Sequence, residues 1–503
     1  MDKFLKNIIK TILIIFSLML IWIIEKGILE YNKIIYDFNP VYLVLLISAY
    51  ILFITMFYKY VIPNIIKYKW IIYLIFALFS ILTLVSGVIF RVNPSWDMGT
   101  TFEIAKELVE KGTYTNSFYL ARFPNNIMMT IIDIVIIKIM NILNITDQIL
   151  GISIVTSCII ILSVIFLYKI AKKIYGDEKA LLLLLICMFT TPLYMYASEY
   201  YTDTYSILPT VMLVWIWLKI KDKKQYKKKI LWQVLFSLIL FFALKLKITA
   251  SFVFIAIIIY EICNKNLKNF IIDSSIIIPL TMLLTIAFNM YIVPKFALKE
   301  ERELYEIPVY HWIMMGMNEL GGFSYDEYAY TQSFKTYDER KQADINKIIE
   351  RIKERNLNTH IKNISAKMCF AWHDGTYWSA SIVGTEIVHK GIVHEFVLSD
   401  GKYNHYYKYI PQVLHFAMLI FIVLNIVRII RQKDYKSKDI IFIISTFGIM
   451  VFLIIWENRS RYVFTMILIM LIAQINGIDY LSNMLDIRRS KNEKNINSNT
   501  NVL

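Results

Sequence analysis

The chain is punctuated by apolar runs long enough to cross a bilayer. The first lies in "KNIIKTILIIFSLMLIWIIEKG" (6–27), and others recur almost to the end of the sequence. A hydrocarbon core takes about 20 consecutive apolar residues as a helix, so runs repeated in this way predict a polytopic, all-α membrane protein. The first run has a basic flank like that of a signal peptide. It lacks a small-residue cleavage site and is read as a retained helix.

Twelve transmembrane helices are expected, near 8–24, 38–57, 70–90, 149–169, 181–197, 205–219, 231–244, 250–262, 270–292, 410–427, 439–456 and 462–478. The formal charge of +15 resides largely in short segments between them: "KYVIPNIIKYK" (59–69), "KIAKKIYGDEK" (169–179), "KIKDKKQYKKK" (219–229), "NKNLK" (264–268), "RIIRQKDYKSKD" (428–439) and "RRSKNEK" (488–494). That is the pattern of cytoplasmic anchors, so the charge predicts topology and no nucleic-acid partner. The segment 127–146 would invert the later anchors if it crossed, and it carries Asp133 and Lys138. It is read as lying in the outer interface or re-entering.

The expected organisation is an N-terminal helix pair (1–69), a membrane core (70–292) with an acidic outer loop at 91–126, an external domain or lid (293–409), C-terminal helices (410–478) and a cytoplasmic tail (479–503). The external segment is too long for a bare connector. It holds six of the seven histidines and two unusual strings, "PVYHWIMMGMNELGGFS" (308–324) and "HDGTYWSAS" (373–381). Its histidines do not have metal-site spacing, and Cys158, Cys187, Cys263 and Cys369 suggest neither a metal nor a disulfide framework.

This scheme places several polar groups, distant in sequence, at one membrane depth. They are Asp97 and Glu103 in "WDMGTTFEIAKELVEKG", Arg122, Asn125 and Asn126 in "ARFPNN", and Glu199, Tyr200 and Asp203 in "SEYYTD". Lys245 and Lys247 in "LKLK" and Arg459, Arg461 and Tyr462 in "NRSRY" complete the set. Ionisable groups at a membrane are costly and mark functional sites. A carboxylate beside an acceptor hydroxyl can serve as general base, and cations can hold a phosphate as it departs. Each has a plainer reading as well: Asp97 as a helix cap, the lysines snorkelling to the interface, the glutamates paired with neighbouring cations. Tyr200 and Tyr462 are placed to stack on a sugar, and His311 either lines an acceptor cleft or caps local structure. No nucleotide-binding glycine motif occurs.

In this order of elements the sequence resembles the GT-C glycosyltransferases, more narrowly the bacterial relatives of protein O-mannosyltransferases and aminoarabinose transferases (glycosyltransferase family 39-like). The likeness spans most of 70–475 and rests on short motifs: "WDMGTTFEIAKELVEKG", "RFPNN", "YKIAKKIYGDEKA" followed by "YYTDT", the Lys245/Lys247 region and "RSRY". It implies a GT-C-like fold with Asp97 as catalytic aspartate and with Arg122, Lys245, Lys247, Arg459 and Arg461 toward a lipid phosphate. The remaining polar residues would face acceptor or sugar. Met98 stands where the protein mannosyltransferases have a second acid, leaving the role of Glu103 open.

The expected reaction is inverting transfer of a sugar from a polyprenyl-phosphate carrier to an envelope polysaccharide, teichoic acid, glycolipid or protein, on the extracytoplasmic face of a cell membrane. No metal ligand is assigned and no cofactor is required, with a divalent ion left open. The alternatives are a transporter or flippase of a lipid-linked glycan and a membrane scaffold.

Overall fold

A computed structural model describes residues 3–29, 38–222, 226–264 and 267–485. The anchor at 488–494 and most of the expected tail lie outside the described residues. Those described are helical, and the only β-type pairing among them is an isolated bridge between Val92 and Ile387.

The main helices are α1 (Lys3–Leu29), α2 (Pro40–Tyr60), α3 (Lys69–Ile89), α4 (Trp96–Lys111), α5 (Ile127–Ile142), α6 (Gln148–Tyr175), α7 (Asp177–Phe189), α8 (Ile207–Asp222), α9 (Tyr226–Leu246), α10 (Phe252–Cys263) and α11 (Leu267–Ala287). After them come α12 (Tyr337–Glu354), α13 (Leu357–Trp372), α14 (Tyr409–Gln432), α15 (Asp439–Ile455) and α16 (Ile467–Ala473).

Among the described residues nine helices are long and apolar enough to cross a membrane, or ten if the bent pair Asp177–Phe189 and Pro192–Ser198 is one span. The twelve expected spans are therefore too many by this measure. The run at 181–197 bends by 61° where Pro192 follows, because proline cannot donate into the preceding turn. The helices at 207–222, 248–263 and 439–455 are shorter than a full span. Conversely, Pro124–Ile142 is long enough, although the charge pattern predicts that 127–146 does not cross.

Its placement follows from its neighbours. Helices α3 and α6 run antiparallel, joined by Phe76 against Tyr168 with ring centroids 5.2 Å apart and by Ser157 Oγ donating to the Thr83 carbonyl. An ion pair at 2.7 Å between Arg91 and Asp147 closes the same pair at the far end of α3. The chain thus returns to the level it left, with α5 the one apolar helix in between. At that end the Val92–Ile387 bridge ties the 91–126 loop to the 293–409 segment.

The opposite end gathers the basic anchors, satisfied by buried acids. Lys221 meets Glu261 at 2.7 Å, Lys229 meets Asp273 at 2.5 Å, and Arg428 meets Asp439 at 2.6 Å. Helices α1 and α2 pack on α14, so the N-terminal pair joins the C-terminal helices. Apolar side chains such as Leu18, Phe53 and Leu82 remain exposed, as expected of faces solvated by lipid.

The 293–409 segment is a folded unit of helices. Buried Arg340 on α12 donates to the carbonyls of Glu303, Leu304, Glu306, Phe334 and Lys335, closing helix ends that lack intrahelical partners. Buried Lys367 on α13 does the same for α15, donating to the Ile454 and Trp456 carbonyls at 2.8 and 3.0 Å.

Candidate functional site

Helix α4 begins behind Pro94 and Ser95 and ends at Gly112, whose φ of 74° makes a left-handed stop. Met98, Phe102 and Ala105 are buried and share a core with Met129, Ile136 and Ile137 of α5. Asp97 lies in the first turn, where a carboxylate complements the helix dipole. It does not cap the helix. Its Oδ1 accepts from the Tyr119 hydroxyl at 2.8 Å, and its Oδ2 takes no hydrogen bond among the described residues.

Tyr119 belongs to a longer chain. Asn126 donates through Nδ2 to the Tyr119 hydroxyl at 2.7 Å, and accepts at Oδ1 from the Tyr201 hydroxyl at 2.8 Å. Burial first, then the neighbouring Tyr201 and the Asp97 carboxylate, hold the Tyr119 phenol well above its usual pKa. It therefore stays protonated and serves as a fixed donor to Asp97.

Tyr201 also faces the cations. Its ring packs edge-on against Trp96 with centroids 5.1 Å apart, and the Arg461 guanidinium lies 5.0 Å from the Trp96 ring centre. Arg461 reaches the buried carboxylate of Asp203 at 3.8 Å. Lys247 pairs with the other oxygen of Asp203 and lies 4.5 Å above the Tyr462 ring. Two cations thus converge on one carboxylate. The Tyr462 hydroxyl donates to Glu457, an acid raised by burial and pulled back by Arg461, Arg459 and Lys247. Glu199 is buried alongside and accepts from the Thr204 backbone at 3.1 Å and from its hydroxyl. Oxygens or nitrogens of Ser95, Arg122, Glu199, Asp203 and Arg461 are buried here without a hydrogen-bond partner.

Most of the residues singled out from the sequence meet here: Asp97, Asn126, Glu199, Asp203, Lys247, Arg461 and Tyr462. Arg459 sits beside them, 5.0 Å from the Trp378 ring centre. Arg122 flanks the group, 6.0 Å from the Tyr328 ring centre.

Five others do not join. Tyr200 packs against Phe102 with ring centroids 5.6 Å apart, because adjacent residues of an extended turn face opposite ways and Tyr201 takes the site side. Lys245 lies in the last turn of α9, where it donates to Asn289 at 2.7 Å. The helix stops at Leu246, and Lys247 in extended backbone turns to Asp203 instead. Glu103 is exposed, six residues along α4 from Asp97 and hence on another face. Asn125 is exposed and donates to Asn126 at 3.2 Å. His311 is buried in the 293–409 segment, its Nδ1 2.7 Å from the Thr331 hydroxyl, which donates to Asp344.

Tyr119, Tyr201, Trp96 and Trp378 were missed. "YY" at 200–201 signalled the second of them without separating it from its neighbour, and nothing local singles out the rest. Among the described residues no group of three or more His, Cys, Asp or Glu side chains converges as a metal site.

No curated protein and no solved structure matches the chain. Residues 1–479 match the family described as conserved hypothetical integral membrane protein, and the chain, with its membrane-length helices and its lipid-facing apolar surface, belongs to that family.

Proposed function

We propose that the protein is an inverting glycosyltransferase that moves a sugar from a polyprenyl-phosphate carrier to a hydroxyl of a cell-envelope acceptor, at the extracytoplasmic end of a GT-C-like bundle. The observation that supports this reading most is the convergence of Lys247 and Arg461 on the single carboxylate of Asp203, beside the half-buried Asp97. Two held cations suit a phosphate leaving group, and a carboxylate with one oxygen anchored and one open suits a general base.

In this mechanism Asp97 Oδ2 takes the proton of the acceptor hydroxyl. The acceptor oxygen forms the new bond to the anomeric carbon while the bond from that carbon to the phosphate oxygen breaks. The electron pair leaves on polyprenyl phosphate, whose charge Lys247, Arg461 and Arg459 receive. With Asp97 as base and the Asp203 carboxylate held by Lys247 and Arg461, no carboxylate is assigned as nucleophile, so the displacement is direct and the anomeric configuration inverts.

The test is a reconstituted assay with polyprenyl-phosphate sugars and an envelope extract. Asp97→Asn is expected to lower transfer by about 100-fold or more, the scale of a lost general base, while it still binds polyprenyl phosphate. Full activity in that variant excludes Asp97 as the base.

A further inference from the structure

The string "HDGTYWSAS" in the 293–409 segment has no role in the mechanism above, yet two of its residues have an uncommon backbone. Tyr377 and Trp378 both adopt positive φ, 54° and 67°, and so does Trp96, at 43°. Left-handed backbone is an outlier for bulky residues and persists only where the surroundings impose it.

Asp374 imposes it here. This carboxylate is 1% exposed. Its Oδ1 accepts from the Thr376 amide and hydroxyl at 2.9 and 2.5 Å. Its Oδ2 accepts from the Trp378 amide at 2.6 Å and from the Ser460 hydroxyl at 2.7 Å. A single oxygen therefore fixes Trp378 relative to the residue between Arg459 and Arg461. The Tyr377 carbonyl and hydroxyl are held as well, by Tyr196 at 2.5 Å and His415 at 2.7 Å.

The result is a matched arrangement. Arg459 lies over Trp378 and Arg461 over Trp96, each guanidinium 5.0 Å from its ring centre. The two tryptophans come from distant parts of the chain, and both have left-handed backbone. Arg461 is engaged by Asp203. The Arg459 guanidinium makes no hydrogen bond or ion pair among the described residues, so its donors are available to an anion while the indole fixes its position.

We propose that the 373–379 loop positions the anion seat: Trp378, locked by Asp374, presents Arg459 to the phosphate of the lipid carrier, as Trp96 presents Arg461. This rests on the glycosyl-transfer reading, and it makes the external segment a structural half of the site. Trp378 and Trp96 are positioning residues that act through the arginines.

The test measures binding of polyprenyl phosphate to the full-length protein in detergent, and transfer kinetics in parallel. Trp378→Leu is expected to weaken binding and raise the donor KM about tenfold, the scale of a lost cation–π contact in a desolvated place, with kcat changed less. Trp378→Phe, which keeps a ring, recovers most of the loss. In an Arg459→Ala background Trp378→Leu costs nothing further.

Wild-type binding in a folded Trp378→Leu variant overturns the proposal, and so does a loss that adds fully to that of Arg459→Ala. If Trp378→Leu does not fold, an unchanged donor KM in Trp96→Leu overturns it. Wild-type protein that neither binds polyprenyl phosphate nor transfers sugar defeats the glycosyl-transfer reading itself, a result distinct from wild-type activity with unaltered tryptophan variants.

Discussion

Replacing Asp203 with asparagine keeps the shape of the side chain and removes the carboxylate charge that pairs with two cations. The carboxylate side chain is 1% exposed, while those of Lys247 and Arg461 are 15% and 17% exposed. At the 3.8 Å separation from Arg461, a unit charge pair in a medium of effective dielectric about 20 attracts by about 4 kcal/mol before desolvation is counted. The contact with Lys247 is closer. Removing one member of such a buried pair costs about 3–5 kcal/mol, because the cation left behind has already lost its water.

Asp203→Asn is therefore expected to lower unfolding free energy by about that amount, measured by denaturant titration in mixed micelles with tryptophan fluorescence. Asp203→Asn combined with Lys247→Met should be more stable than the sum of the two single losses predicts, since the double variant buries one cation fewer. A loss under about 1 kcal/mol, the range of exposed pairs, or strict additivity in the double variant, would refute the description of this cluster as a desolvated charge centre.

Two further expectations concern the 293–409 segment and the topology. Burial pulls His311 down to about 4 and pushes Asp344 up to about 6. Between those values acidification costs stability through His311, because the unfolded chain takes a proton that the folded one refuses. It adds stability through Asp344, where the folded chain takes the proton first, so the slopes oppose. Asp344→Asn removes the second effect, and its stability should fall by about 3 kcal/mol from pH 6.5 to 4; a profile parallel to wild type excludes this pairing. Cysteines introduced by Asn93→Cys and Asn144→Cys in a background without the native cysteines should react with an impermeant maleimide from the same side of sealed vesicles. Labelling from opposite sides would show that α5 crosses alone.

The ionisable members of the site were legible because charge at a helix end near lipid is expensive, which is why Asp97, Asp203, Lys247 and Arg461 stood out. The sequence did not say where a helix would stop. Lys245 and Lys247 differ by two residues, and the end of α9 at Leu246 sends one to Asn289 and the other to Asp203. Tyr200 and Tyr201 divide in the same way across an extended turn. Glu103 was excluded in principle by its helical angle from Asp97. Trp96 and Trp378 carry no local signal, since left-handed backbone in a tryptophan arises from tertiary contacts such as those of Asp374. The membrane character followed from the apolar runs, whereas the span count did not: 181–197 reads as one run until the bend at Pro192 divides it.

For the proposed reaction, the side chain of Asn126 has a consequence for the route by which a proton could reach or leave Asp97. Every hydrogen in the series from Tyr201 through Asn126 to Tyr119 points toward the carboxylate. An amide, however, accepts on oxygen and donates on nitrogen and does not interchange the two. Asn126 therefore insulates where a hydroxyl or a water would conduct. A proton gained by Asp97 has no exit toward Tyr201 along this series and leaves by the side on which it arrived, through Oδ2. Under the proposed transfer reaction, acceptor entry and proton release would then share one doorway, and resetting the carboxylate would wait on the cleft being rewetted after each product departs.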